Sequence, residues 1–354
     1  MAQPNTQDLR LGIVGTGSMA CQMAHAARFV PRVSVASVLS RDASRASAFC
    51  SQHASEAIGF DDAAQFFDAT DAVYVATPPH SHMAFIEQAI DAGKPILCEK
   101  PLTLSSTDTS RLLRRARDAR VPLVEAIWTL ALPAYREMKR TLEDRRNALL
   151  HFDFSYPVDP ESQAHILDPH SGGVIVDRSV YGYAAAISLL GDVKQQTAWV
   201  VRDETHLEVD AELRLEHAEG ARSLITLSIN KVGSNLLCLS NGSGLTALGP
   251  TSLASETLRR VARPSVTRSS ASKSSKTLKS RLKGLPLLRA LKTKLPAKQQ
   301  YLSYGASSYA PILTEFVSVI EKGQMESEIV PHNLTEQAAF LAESARLQDE
   351  RVGQ

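Results

Sequence analysis

Cysteine is scarce in this chain of 354 residues: Cys21, Cys50, Cys98 and Cys238 stand far apart and form no C-x-x-C pair. That excludes a disulfide-stapled scaffold and a zinc ribbon or finger. Long apolar runs are also missing, and nothing approaches the ~20 residues a membrane-spanning helix needs. The N-terminus, MAQPNTQDLR, is polar and lacks a signal-peptide core, so a cytoplasmic location is expected. Aromatic residues are only 6% and charged residues 22%, while hydrophobic residues reach 44%, an ordinary globular balance. Secreted, collagen-like, wholly disordered and integral-membrane readings therefore fall away. At roughly 150 residues per domain, the length suits about two domains. A chain of this size buries a large core unaided.

Acidic residues are absent from one segment. Residues 259–298 contain 13 Lys or Arg and no Asp or Glu. The chain has 39 basic and 38 acidic residues, so the remainder has 26 against 38 and stands near −12. Such a body argues against nucleic-acid binding. Residues 265–280 are rich in Ser and Lys, which predicts a flexible insertion. Residues 278–295 mix Leu with Lys and Arg, as a basic amphipathic helix does. The segment is expected to be a solvated surface insertion, or else a contact for anionic membrane or another polyanion.

What is present begins with alternation. Short apolar runs at 9–14, 33–39, 71–77, 95–99 and 121–125 read as strands. Helical patterns lie between them at 18–29, after Asp42 as N-cap, and at 81–92 and 105–119, with Gly93 as a C′ glycine. The run DAVYVAT is almost continuously apolar, as in strands buried on both faces. The pattern predicts βαβ units on a doubly wound parallel sheet. After residue 127 it changes. Leu207, Val209, Ala211, Leu213 and Leu215 alternate with charged residues, and Glu219-Gly220 turns into a further strand at 222–229. The expected fold is therefore α/β, with a Rossmann domain over 1–127. An α+β domain over 128–354 follows, built on an open, largely antiparallel sheet. Helices are expected at 179–190, 309–322 and 335–350.

Gly15-Thr16-Gly17-Ser18-Met19-Ala20 follows the first strand and opens the first helix, which is the G-x-G-x-x-A fingerprint in its required context. Gly15 permits the tight turn, Gly17 lets the backbone approach a pyrophosphate, and Ala20 packs the helix on its strand. The second strand ends at Ser40-Arg41 with no acidic residue at its tip. A hydroxyl and a guanidinium suit a ribose 2′-phosphate, so NADP is expected ahead of NAD.

Two further segments sit at C-terminal strand ends, where open α/β sheets bind ligands. They are Thr77-Pro78-Pro79-His80-Ser81-His82 and Cys98-Glu99-Lys100-Pro101-Leu102. Together with GIVGTGSMA they resemble the glucose-fructose oxidoreductase/inositol dehydrogenase/rhizopine catabolism (Gfo/Idh/MocA) family. The resemblance covers 9–128 closely and resumes at 171–191 and 309–332. It implies an NAD(P)-dependent dehydrogenase or reductase acting on CH-OH groups of a sugar, cyclitol or vicinal diol, or on the matching carbonyl. It also implies a homo-oligomer, dimer or tetramer.

By resemblance Lys100 lies beside the nicotinamide, and the family's D-x-x-x-H motif falls on Asp177. Tyr181 stands where many members have His. The tyrosine form, with Glu125-Ala126-Ile127-Trp128-Thr129, is similar to the dimeric dihydrodiol dehydrogenase branch. Arg178-Ser179 replaces the usual small pair, and Leu130-Ala131-Leu132 departs from that branch. The implied roles are Tyr181 as proton donor and acceptor, Lys100 as its electrostatic partner, and Asp177 as the group orienting substrate. The implied cofactor contacts are the 15–20 turn, Ser40, Arg41, Thr77, Pro78, His82, Glu99, Lys100 and Trp128.

The chemistry is coherent on its own terms. Hydride transfer from a carbinol carbon must be matched by movement of the hydroxyl proton, which needs an acid/base within ~2.6–3.2 Å. A nearby lysinium is expected to lower the tyrosine pKa, and the two titrate as a coupled pair. Duller readings stand beside each role. Asp177 could pair with Arg178, Tyr181 could be a core aromatic, and Trp128 could fill the domain junction. His80 and His82 have no thiol or carboxylate cluster beside them, so no metal site is expected, and His165 and His170 lie in an irregular stretch. A non-catalytic nicotinamide-binding sensor or scaffold is the alternative function.

Overall fold

The computed structural model describes residues 8–169, 171–262 and 298–348. The stretches expected to be flexible (265–280) and amphipathic (278–295) lie outside the described residues, as does His170.

Strands β1 (Leu9–Val14), β2 (Val33–Leu39), β3 (Ile58–Phe60), β4 (Ala72–Val75), β5 (Ile96–Cys98) and β6 (Leu123–Glu125) form a wholly parallel sheet in the order 3-2-1-4-5-6. Helices α1 (Ser18–Ala27), α2 (Ala43–His53), α3 (Ala63–Asp68), α4 (Pro79–Asp91) and α5 (Ser106–Ala119) connect them. Strand side chains alternate between faces, and here both faces are buried. Val73 and Val75 join Ile86, Ile90 and Leu112 in one apolar cluster. Tyr74, between them, joins Met23 and Val38 in the other. That double burial explains the near-continuous apolar character of the strands. Asp42 caps α2 by accepting from the Ser44 amide at 2.8 Å, and Gly93 takes φ +66° just past α4.

The second sheet contains β7 (Leu149–Ser155), β8 (Val193–Arg202), β9 (Glu208–His217), β10 (Arg222–Ser228), β11 (Leu237–Asn241), β12 (Gly244–Gly249), β13 (Thr257–Ala262) and β14 (Lys298–Tyr301). Its order is 14-13-12-11-7-10-9-8, antiparallel throughout except for the β7–β10 pair. In β9, Leu213 and Leu215 are buried while Arg214 and Glu216 are exposed, as the alternation predicts, but at the start of the strand Glu208 and Asp210 are buried too, paired with Arg202 and Arg346 and with Lys231. Helix α7 (Val180–Leu190) is buried along its whole length. A Cβ on Gly182 would lie 2.6 Å from Ile225 Cγ2, so glycine is what lets α7 sit this close to β10. The opposite face of the sheet carries the exposed Trp199.

Helices α6 (Pro133–Arg140), α8 (Ala310–Glu321) and α9 (His332–Gln348) complete the described chain. The C-terminal segment returns to the first sheet, where an edge strand would leave backbone groups unpaired. Leu123 of β6 donates its amide to Met325 O at 3.1 Å, and its carbonyl meets His332 Nε2 at 2.8 Å. Short elements such as β3 and α3 had no distinct apolar period in the sequence. A π-helical turn at Ile175–Ser179 precedes α7 where the pattern showed only the helix after it. Among the described residues no helix is long and apolar enough to cross a membrane.

Candidate active site

Strand order reverses between β1 and β4, so their C-terminal ends border a crevice suited to ligands. Gly15 turns out of β1 at φ +108°, and a Cβ there would lie 2.8 Å from Ala76 O. Gly17, the N-cap of α1, has no atom within 4 Å of the position its Cβ would take. No side chain caps α1, and its first turn holds no acidic residue. The leading amides of a helix have no intrahelical acceptor. Thr16, Ser18 and Met19 complete an open turn, while Ala20 is fully buried beneath it. These features fit a dinucleotide pyrophosphate.

At the tip of β2, Ser40 is half-buried and Arg41 exposed. The nearby Asp42 carboxylate is engaged by the Ser44 amide and hydroxyl at 2.8 and 2.7 Å. Across the crevice, Pro78 is the N-cap of α4 and Thr77 accepts a hydrogen bond from Ser81 Oγ at 2.8 Å. His82 is wholly buried, with Nε2 2.7 Å from Thr77 O and Nδ1 3.0 Å from Pro101 O. Its ring ties the two strand-end loops together.

Lys100 and the 177–181 segment converge. Lys100 Nζ donates to Asp177 Oδ1 at 2.8 Å and to Asp177 O at 2.7 Å, and lies 4.9 Å from the centre of the Tyr181 ring. Their side chains stay accessible, 13% for Lys100 and 20% for Asp177. Burial alone would lower the ammonium pKa, but the charges of Asp177, Tyr181 and Glu99 raise it above the ordinary lysine value. Burial opposes ionisation of Asp177 too, yet Lys100, Arg178 and His165 hold its carboxyl below the usual range.

Tyr181 accepts a hydrogen bond from Trp128 Nε1 at 3.2 Å. Burial pushes its pKa up to about 12, against the lowering effect of Lys100 and of the Trp128 N–H. The expected drop is therefore outweighed by desolvation. Trp128 stacks on Tyr309 with centroids 5.3 Å apart, and Phe154 meets Tyr181 edge-on at 5.9 Å.

Beneath Lys100 lie two buried carboxylates. Glu99 is engaged by the Tyr74 hydroxyl and, at 3.3 Å, by the Lys100 amide. Glu125 accepts from the Leu102 amide at 2.9 Å and the Thr335 hydroxyl at 2.8 Å. Burial, reinforced by Glu99, pushes Glu125 up to about 7. Tyr309, Glu125 and Thr335 were missed as a set because nothing in local spacing links them. Arg178, next to Asp177, is fully enclosed, stacked on Phe154 and Tyr156 at 4.7 and 4.4 Å. Among the described residues no group of His, Cys, Asp and Glu could hold a metal ion.

Comparison with known proteins agrees with the fold. Residues 9–126 match the GFO_IDH_MocA family, described as an oxidoreductase family with an NAD-binding Rossmann fold. The chain is 28% identical over 247 residues to trans-1,2-dihydrobenzene-1,2-diol dehydrogenase of Sus scrofa, covering 67% of this chain and 73% of that protein. It is 30% identical over 209 residues to dTDP-3,4-didehydro-2,6-dideoxy-alpha-D-glucose 3-reductase of Actinomadura kijaniata, covering 58% and 63%. The solved structure of KijD10, a 3-ketoreductase from Actinomadura kijaniata in complex with NADP and TDP-benzene, superposes with a TM-score of 0.77 at 20% identity, covering 97% of this chain and 98% of that one. Residues 9–126 thus carry the NAD-binding Rossmann fold of the Gfo/Idh/MocA oxidoreductase family, and the chain is an NAD(P)-dependent oxidoreductase.

Proposed function

We propose that this protein is an NADP(H)-preferring dehydrogenase or reductase for a sugar, cyclitol or vicinal diol, with Tyr181 moving the proton and Lys100 beside it. The observation carrying this reading is the approach of Lys100 Nζ to the Tyr181 ring at 4.9 Å, at the same end of the parallel sheet as the glycine turn that fits a pyrophosphate. Two named relatives act on a diol and a nucleotide-linked sugar, which supports that substrate range. We take 1–127 as the cofactor domain and 128–354 as the substrate and oligomerisation domain.

A bound nicotinamide would accept or supply the hydride. The chain's own residues handle the proton. Tyr181 takes it from the substrate hydroxyl in oxidation and returns it in reduction, within the reach general acid–base catalysis demands. Lys100 carries positive charge against the developing tyrosinate, and the two titrate as a pair. Asp177 orients both Lys100 and the substrate hydroxyl. Trp128, stacked on Tyr309, walls the site and donates to Tyr181. The turn at 15–20, with Thr77 and Pro78 opposite, would hold the dinucleotide. Glu99 and His82 brace the two loops rather than offering free polar atoms to it.

For the adenine ribose, Arg41 is exposed while the nearest carboxylate, Asp42, caps α2. That favours a 2′-phosphate. The exposed face around Trp199 supports a homo-oligomer built on the second sheet. The four free cysteines suit a reducing cytoplasm.

The test is turnover of NADP+ with polyols and vicinal diols, and of NADPH with the matching carbonyls. Turnover that collapses in Lys100→Met and Tyr181→Phe supports the reading. NADPH binding with no turnover across the panel would instead favour a non-catalytic binding protein.

A further inference from the structure

Arg178 is charged, adjacent in sequence to Asp177, and wholly enclosed. One of its terminal nitrogens, Nη1, donates to Tyr156 O at 2.9 Å and to Ser228 O, at the ends of β7 and β10. Its rim is different. Nε and Nη2 are buried and have no hydrogen-bond partner among the described residues. Those two N–H groups form the parallel fork that grips a carboxylate bidentately. The nearest carboxylate oxygen is Asp177 Oδ2, 3.7 Å from Nε and just beyond hydrogen-bond range.

The other oxygen of the same carboxylate holds Lys100 at 2.8 Å. One anion is thus shared unequally by two cations. Lys100 also spends a second donor on Asp177 O. Two of the three ammonium donors are thus committed to Asp177, in the segment before α7. Drawing the ammonium away would strand a largely buried carboxylate, which is costly unless another cation receives it.

We propose that Arg178 is a positioning residue that takes over the Asp177 carboxylate when substrate draws Lys100 toward the reacting hydroxyl. Asp177 Oδ2 closes the gap to the Nε/Nη2 fork, and Lys100 is released without leaving an unpaired charge. This rests on the assignment of Lys100, Asp177 and Tyr181 to the reaction. It also gives a physical reason for an arginine where the family's usual pair is small.

A double-mutant cycle on the full chain tests it, using NADP+ with trans-1,2-cyclohexanediol, myo-inositol and D-glucose as probes. Arg178→Met is expected to lower kcat/KM about tenfold or more, while in an Asp177→Asn background it changes the rate by no more than about twofold. Arg178→Lys keeps the charge and a donor for the two carbonyls but lacks the fork. Its melting temperature, measured alongside, separates lost packing from lost positioning, and at temperatures where it is folded it should still lose about tenfold. Multiplying losses in the double variant, or a wild-type rate in Arg178→Lys, overturns the proposal.

A second arm needs no substrate. Trace acetylation of Lys100 by acetic anhydride in the NADP+ complex, read by mass spectrometry, reports how tightly Asp177 holds the amine. Arg178→Met should slow it about threefold or more, because Asp177 then serves Lys100 alone, with no change once Asp177 is Asn. An unchanged rate in Arg178→Met overturns the proposal even if no probe is turned over. Absence of turnover with the labelling cycle intact counts against the functional reading instead.

Discussion

The Trp128 indole donates to the Tyr181 hydroxyl oxygen at 3.2 Å, leaving the phenolic proton free to go elsewhere. A donor into that oxygen stabilises tyrosinate relative to phenol. Trp128→Phe keeps an aromatic ring against Tyr309 and removes the donor. Tyr181 should then rise further above its value of about 12. A net hydrogen bond of ~1 kcal/mol corresponds to about fivefold in kcat/KM for alcohol oxidation. At a fixed pH carbonyl reduction should lose a similar factor, because the variant leaves the overall equilibrium of the reaction unchanged and a weaker base is matched by a weaker acid. A pH–rate profile of alcohol oxidation checks the role: its rise with pH should move upward in Trp128→Phe, and an unmoved profile would contradict it.

Lys100→Met and Tyr181→Phe remove the charge and the proton carrier separately. Each should lower kcat by about 10²-fold or more, the usual scale of positioned acid–base catalysis. Neither residue lies on the 15–20 turn, so NADPH affinity measured by fluorescence titration should change little. Loss of cofactor binding in both variants would assign them to the dinucleotide rather than to the proton.

Glu125 predicts a pH dependence of stability. Burial raises its folded-state pKa from the ordinary 4.5 to about 7, so the folded protein holds a proton that the unfolded chain releases. The linked stability is fully present below pH 4.5 and is lost as pH rises through about 7. Over that window the difference is about 3 kcal/mol. Glu125→Gln stays neutral and keeps an oxygen for the Leu102 amide or the Thr335 hydroxyl. Its melting temperature should fall less than that of wild type between about pH 5 and pH 8, by on the order of 5 °C. Parallel curves for the two proteins would rule out this role for the carboxyl.

Much of the cofactor end was legible because it is local. A glycine turn between a strand and a helix, an Asp42 cap and a C′ glycine each need only a few neighbouring residues, and each lies at its expected position. The meeting of Lys100 with the 177–181 segment was foreshadowed only by resemblance, and the ion pair of Lys100 with Asp177, 77 residues apart, was not expected at all. The contacts of Glu125 with Thr335 and the stacking of Trp128 on Tyr309 depend on how the C-terminal helices return to β6, which no periodicity encodes. Arg178 stood out in the sequence only as a departure from the usual small pair; in the structure two aromatic rings and two strand-end carbonyls enclose it. The π-helical turn at Ile175–Ser179 was invisible because one widened turn barely disturbs an apolar pattern.

The cofactor preference turns on Arg41. The Asp42 carboxylate accepts from the Ser44 amide and hydroxyl, so the acidic group nearest the β2 tip is committed to the helix. A guanidinium–phosphate contact contributes roughly 1.5–3 kcal/mol, about ten- to a hundredfold in selectivity. Arg41→Ala should cost NADP about tenfold or more in kcat/KM and leave NAD nearly unchanged, since only the former carries the 2′-phosphate. The preference should also weaken with added salt, because Arg41 is exposed and its contact is screened. Parallel titrations of both cofactors against wild type and variant decide the matter. Equal losses for NAD and NADP would move Arg41 away from the ribose and return the choice of cofactor to Ser40 and the loop beyond it.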